Sequence, residues 1–172
     1  MSKATGTAKL RLDPTVWSGL EDAGITVTAV APAAPLDDST VPGAHFTVGS
    51  AEVSAIGKGY AGFEGGLRLE DAAGAFIELT DPQGTLPAGK VVFAVKTSAD
   101  SSRQRIEAFG YSLLKSLRAN ALETSFSVED TDLKVTSDFA ALLSDVLDGA
   151  VVDAGSVFAT ASAHFTFKPN RL

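Results

Sequence analysis

The chain has 172 residues, 45% of them hydrophobic, which is enough for one domain with a real core and too little for two ordinary ones. Its 14 basic and 21 acidic residues give a net charge of −7 and argue against nucleic acid as a partner, because neutralising phosphates needs clustered Lys and Arg. It has no cysteine, which excludes disulfides, thiolate metal sites and thiol catalysis.

In chain order, a short strand around Ala8 to Leu12 runs into Asp13-Pro14, an N-cap acceptor followed by a proline suited to N1. Val16, Trp17 and Leu20 then fall at helical spacing, and Gly24 supplies the left-handed stop. Ile25 to Val30 alternates as a strand. Ala31 to Pro42, with three prolines and two aspartates, reads as a surface loop. Further strands are expected at Ala44 to Val48 and Ala51 to Ile56. The block from Gly59 to Leu86 joins a glycine-dense turn to two alternating strands. Leu67 and Leu69, then Phe76 or Ile77 and Leu79, form the apolar set, and Asp81-Pro82 reads as a stop.

Lys90 to Lys96 has the apolar character of a buried strand. Ser98 to Arg103 is turn-like. Arg105 to Leu113 fits a strand carrying Tyr111, followed by an irregular or helical stretch to Leu122. Two strands follow, Thr124 to Glu129 and Asp132 to Thr136, joined by a tight turn at Asp130-Thr-Asp132. Ser137 is the expected N-cap of a helix over Asp138 to Asp148, with Phe139, Leu142, Leu143, Val146 and Leu147 on one face and Gly149 as its stop. Ser156 to Lys168 alternates as a last strand, and 1–7 and 168–172 read as flexible tails. The fold class is therefore mainly β, an antiparallel two-sheet, β-sandwich-like single domain over 1–172 with two short helices.

The motifs of chemistry are few. No nucleophile elbow, phosphate loop or His-Glu-x-x-His occurs, and carboxylate pairs such as Glu64 with Glu70 or Asp71 are no more than any acidic β-protein offers. Asp37-Asp38 and Asp130-x-Asp132 supply too few oxygens for a calcium loop. Arg103, Arg105, Lys115 and Arg118, with Glu107 among them, read as a solvated face. The two histidines, His45 and His164, share the context Ala-His-Phe-Thr; on neighbouring strands they would make a metal or pH-sensitive pair, and as solvent-facing residues they would make none. No apolar run approaches the ~18 residues of a membrane-spanning helix, and the segment after Met1 lacks the apolar core of a signal peptide.

Three segments together resemble the HtaA domain, the haem-transport-associated module of secreted and surface proteins in high-GC Gram-positive bacteria. They are Leu10 to Leu20 running on through Val27 to Ala33; Phe46-Thr-Val-Gly with Gly62 to Leu69 and Ile77 to Pro82; and Leu133 to Thr136 with Phe139 to Leu143 and Asp153-Ala-Gly-Ser. The resemblance implies a non-enzymatic β domain, placed in the secreted fraction or at the cell surface, in which a tyrosine and a histidine serve haem. The family's Gly-His-x-Gly histidine falls, by the Gly65-Gly66 register, at Phe63, and no tyrosine lies between Val16 and Ala29. Haem thus enters by resemblance only, and the residues themselves predict no cofactor.

Two functions follow. One is the binding of haem, a small apolar ligand or a partner protein in an aromatic cleft lined by Trp17, Tyr60 and Phe63. The other is a structural, self-assembling β protein with no small-molecule ligand, for which the cytoplasm stays open as a compartment.

Overall fold

A computed structural model of the chain describes residues 2–37, 39–53, 58–120 and 124–168. Asp38, the ends of the strand expected to Ile56 and of the stretch expected to Leu122, and the last four residues lie outside them. The elements are β1 (Ser2–Leu12), α1 (Pro14–Asp22), β2 (Thr26–Val30), β3 (Gly43–Val53), β4 (Gly59–Phe63), β5 (Gly66–Glu70), β6 (Phe76–Leu86), β7 (Ala88–Thr97), β8 (Asp100–Ser112), β9 (Leu117–Asn120), β10 (Ser125–Val135), α2 (Ser137–Val146) and β11 (Val157–Phe167).

The mainly β character and the two short helices are as the sequence predicts, but the expected pair of sheets is replaced by one sheet that closes on itself. Neighbouring strands run β6-β4-β3-β1-β11-β10-β8-β7, and β7 pairs back onto β6, so eight antiparallel strands form a ring. β5 and β2 extend from the first half of β6, and β9 lies beside the first half of β10. Periodicity alone cannot distinguish two sheets from a closed one, because both put every second residue inside.

Closure depends on irregularities that the sequence presents as turns. β6 runs straight through Asp81-Pro82, which is a bulge and no stop. Asp81 sits at φ 52, and its N–H donates to the Gly65 carbonyl at 2.8 Å while its carboxylate accepts from the Gly65 N–H at 3.3 Å. Pro82, which has no N–H to give a ladder, is accommodated at this break. Gly65 is held at φ +88, where a Cβ would stand 2.3 Å from the Ala33 nitrogen, so glycine is required there. Likewise β10 is one strand with a bulge at Asp130, at φ 47, where a hairpin turn is expected.

Other boundaries shift as well. Residues 2–7, expected as a tail, are paired in β1, and β8 begins at Asp100 inside the expected turn. Between Leu113 and β9 the chain makes a tight turn. Asp13 caps α1 as predicted, its carboxylate accepting from the Thr15 and Val16 N–H groups. α2 is capped one residue before the expected position, by the Thr136 hydroxyl accepting from the Phe139 N–H.

Two hydrophobic clusters fill the ring. The larger takes Leu20 of α1, Phe139 and Leu143 of α2, and the alternating Leu67, Leu69, Ile77 and Leu79, all fully buried. At its centre Phe109 stacks on Phe158 at 5.2 Å and meets Phe139 and Phe93 edge-on at 5.3 and 5.8 Å. The smaller cluster has no helix residue and is built on Phe126 and Phe165, stacked at 4.6 Å, among Ala4, Ala51 and Ala61. The helices thus close one end of the barrel. That end is tied to the β5–β6 turn by Asp71, whose carboxylate accepts from the Ala73, Ala75 and Asp148 N–H groups. No helix among the described residues is long and apolar enough to cross a membrane.

Phe109→Ala removes the ring on which three others lean and is expected to cost about 3–5 kcal/mol of unfolding free energy in chemical denaturation. The N–H donors around Asp71, that of Asp148 foremost, hold its carboxyl below the ordinary 3.8. A depressed native pKa adds stability above pH 3.8 that is lost as pH falls through the native value. Asp71→Asn should therefore lower stability at neutral pH and flatten the acid limb of the stability–pH curve.

Candidate functional site

The barrel interior is not filled. Between the two clusters lies a cavity of about 120 Å³. Alanines make the room: Ala8 of β1, Ala61 of β4, and Ala161 and Ala163 of β11 all line it, where larger side chains at these inward positions would close it. An eight-stranded barrel has an interior that side chains can just fill or that can hold one small ligand. This belt of small residues sets the second condition.

Phe63 and Tyr111 border the cavity, and they are the residues that pack against both clusters. Phe63 faces in from β4, edge-on to Phe46 at 6.1 Å and tilted to Phe165 at 6.2 Å. Tyr111 faces in from β8 across Gly84 of β6, and its hydroxyl donates to the Thr85 carbonyl. A Cβ on Gly84 would stand 2.5 Å from that hydroxyl, so glycine makes the space the phenol occupies. Burial raises the Tyr111 pKa above 10.0, with the hydrogen bonds at Thr85 opposing the rise.

The three aromatics expected in one cleft are not brought together. Phe63 lines the cavity; Tyr60, three residues earlier on β4, points to the other face and is 41% exposed. A strand sends residues three apart to opposite sides, which rules out a shared pocket for this pair. Trp17 is half-buried on α1, against the larger cluster at the helical end. The two histidines are also apart. β1 runs between their strands, with Lys9 opposite His45 and Thr7 opposite His164, which puts their backbones two strand spacings and two residues of offset apart, about 12 Å. Among the described residues no group of three or more His, Asp or Glu side chains is placed to hold a metal. His164 instead borders an open depression of about 320 Å³ on the outer face of β1, β11 and β10, with Lys9, Glu129 and Asp130.

The sequence puts Tyr111 in a buried strand and stops there. Its partner is the backbone of Thr85, 26 positions away, and a contact between a side chain and a distant carbonyl leaves no periodic trace. The last strand's alternation shows in the sequence, but small residues at inward positions signal a void only when the facing strands are known.

No protein-family model and no curated protein matches this sequence. Solved structures do match in shape. The C-terminal domain of HtaA from Corynebacterium glutamicum aligns at a TM-score of 0.70 with 14% identity, covering 97% of this chain and 100% of that one. The haem-binding protein HtaB from the same organism aligns at 0.61 with 10% identity, covering 98% and 96%. The domain-swapped dimer of a histidine-to-alanine variant of the HtaA C-terminal domain aligns at 0.58 with 14% identity, covering 88% of each chain. The class is thus a small antiparallel β-barrel closed at one end by two helices. Within that class the chain has the HtaA fold and is an HtaA-like domain in architecture.

A raised native pKa means that the folded state holds the Tyr111 proton more tightly than the unfolded chain does. Its contribution to stability is then complete below pH 10.0 and is lost as pH rises through the native value. In a Tyr60→Phe background, phenolate absorbance should give a single native-state midpoint above 10.0, and Tyr111→Phe should remove both that signal and the associated alkaline loss of stability.

Proposed function

We propose that this chain is a non-enzymatic, HtaA-like binding domain of a secreted or cell-surface bacterial protein, and that it holds an apolar ligand at the Phe63–Tyr111 cavity without ligating haem iron. The observation that carries this reading is the cavity itself, set inside a fold shared with the haem-binding protein HtaB. Close-packed interiors seldom keep such a void, and here glycine and alanine positions on several strands jointly maintain it.

Two features support separating this chain from haem. By the resemblance the family's histidine falls at Phe63, whose ring is engaged with Phe46 and Phe165 and offers iron no donor atom. Sites that bury larger ligands measure roughly 300–1,000 Å³, several times this cavity. Tyr111 remains as the one phenol at the cavity wall, with its hydroxyl already given to Thr85.

Self-assembly is the second reading, and the domain-swapped neighbour supports it. Against it, the large exposed apolar residues among those described, Tyr60, Leu114 and Val151, lie on separate elements and loops and form no common strand face. Light scattering separates the two readings, since a monomer favours binding and a stable larger particle favours assembly.

Titration with micromolar haem, followed in the Soret region, should give no ligated band. A ligated band abolished by Tyr111→Phe would replace this reading with tyrosinate-ligated haem.

A further inference from the structure

We infer that the barrel cavity is a hydrocarbon site, selective for a neutral, non-polar molecule about the size of one six-membered ring and closed to the hydroxylated analogue of the same ring. The inference rests on the proposed binding role and specifies the ligand.

Size gives the first constraint. A dry apolar cavity of roughly 150 Å³ in another protein takes benzene or xenon, and about 120 Å³ is of the same order. The alanine belt gives the ring room, and Phe63 and Phe165 provide aromatic walls suited to edge-on or stacked contact.

Polarity gives the second constraint. Several polar side chains border the cavity, and each is committed elsewhere. The Tyr111 hydroxyl donates to the Thr85 carbonyl, and the Thr85 hydroxyl donates to the Ala88 carbonyl at 2.8 Å. The Thr131 hydroxyl bonds that of Ser116 at 2.7 Å, the Ser162 hydroxyl accepts from the Asp130 N–H at 3.1 Å, and the Gln83 carbonyl accepts from Arg105 at 3.1 Å. The surface that the lining presents to the cavity is almost wholly apolar. A hydroxyl carried in by a ligand would therefore exchange water for that apolar surface. At the cost of an unmade buried hydrogen bond, this weakens binding about tenfold or more.

The test is thermal unfolding of the whole chain with benzene or phenol at matched free concentrations. Benzene should raise the midpoint, and phenol should need about ten times the concentration for the same shift. Ala161→Leu fills the cavity and should abolish the benzene shift. Ala163→Val, a smaller addition, should reduce it if the leucine variant does not fold. A phenol shift equal to that of benzene would overturn the selectivity, and a benzene shift that survives in the filled variants would overturn the location. If benzene does nothing while the neutral apolar probe diphenylhexatriene binds and is competed by other hydrocarbons, the ring-sized class fails and the binding role stands. Failure of both probes overturns the two together.

Discussion

β6 hydrogen-bonds along both edges to three different strands, and the rest of the barrel takes its place from that. Its first half pairs with β5 and β7 and its second half with β4 and, through Gln83, with β7 again. One strand can serve two successive partners on the same edge only if those partners part company where it bends. The reciprocal hydrogen bonds between Gly65 and Asp81 are where this happens. Asp81 takes the left-handed conformation at which Asp is one of the tolerated residues, and Gly65 takes one that leaves no room for a side chain. The ladder then continues without an orphaned N–H, because the residue that cannot donate, Pro82, occupies the break.

The cavity follows from the same geometry. Gly84 lies on β6 just past the bulge, where Tyr111 crosses to reach Thr85. Opposite, the β1–β11 ladder places Ala8 against Ala163 and Ala161 against Leu10, so that three alanines lie beside the rings of Phe63 and Phe165. The helices contribute nothing to this half; their apolar faces are spent on the Phe109 cluster at the other end. One half of the barrel is therefore packed for stability, and the other keeps a space whose shape is fixed by strands.

Much of this was legible in the sequence. Leu67, Leu69 and Leu79 were assigned inward by alternation and each is fully buried, and of the two candidates between them, Phe76 and Ile77, it is Ile77 that is fully buried. The α2 stripe was placed from spacing, and Phe139, Leu143 and Leu147 are its buried members. Illegible were the features that turn local pattern into a closed ring. Asp81-Pro82 and Asp130 read as turns because a bulge and a turn ask for the same residues, those that accept a left-handed φ or forgo a hydrogen bond. The pairing of Ala4 with Phe167, which joins the chain's two ends, is invisible to any window along the sequence. Tyr60 and Phe63 looked like neighbours because they are close in the chain; on a strand that spacing separates them.

A closed ring also restricts how two copies of this chain could join. Among the described residues the first half of β8 has no strand on one side, and it carries two arginines: Arg103 bonds the Thr80 hydroxyl and approaches Glu78, and Arg105 bonds Gln83, both reaching across β7. Charged side chains on an edge strand work against the addition of another strand. Addition at a border is thus discouraged. What a ring does permit is the exchange of an element it already contains, since the borrowed strand finds the same partners waiting in the other copy. The seam at which such a ring would open with the fewest ladder pairs broken is the two-residue pairing of β8 with β10 at Lys134–Gly110 and Val135–Phe109.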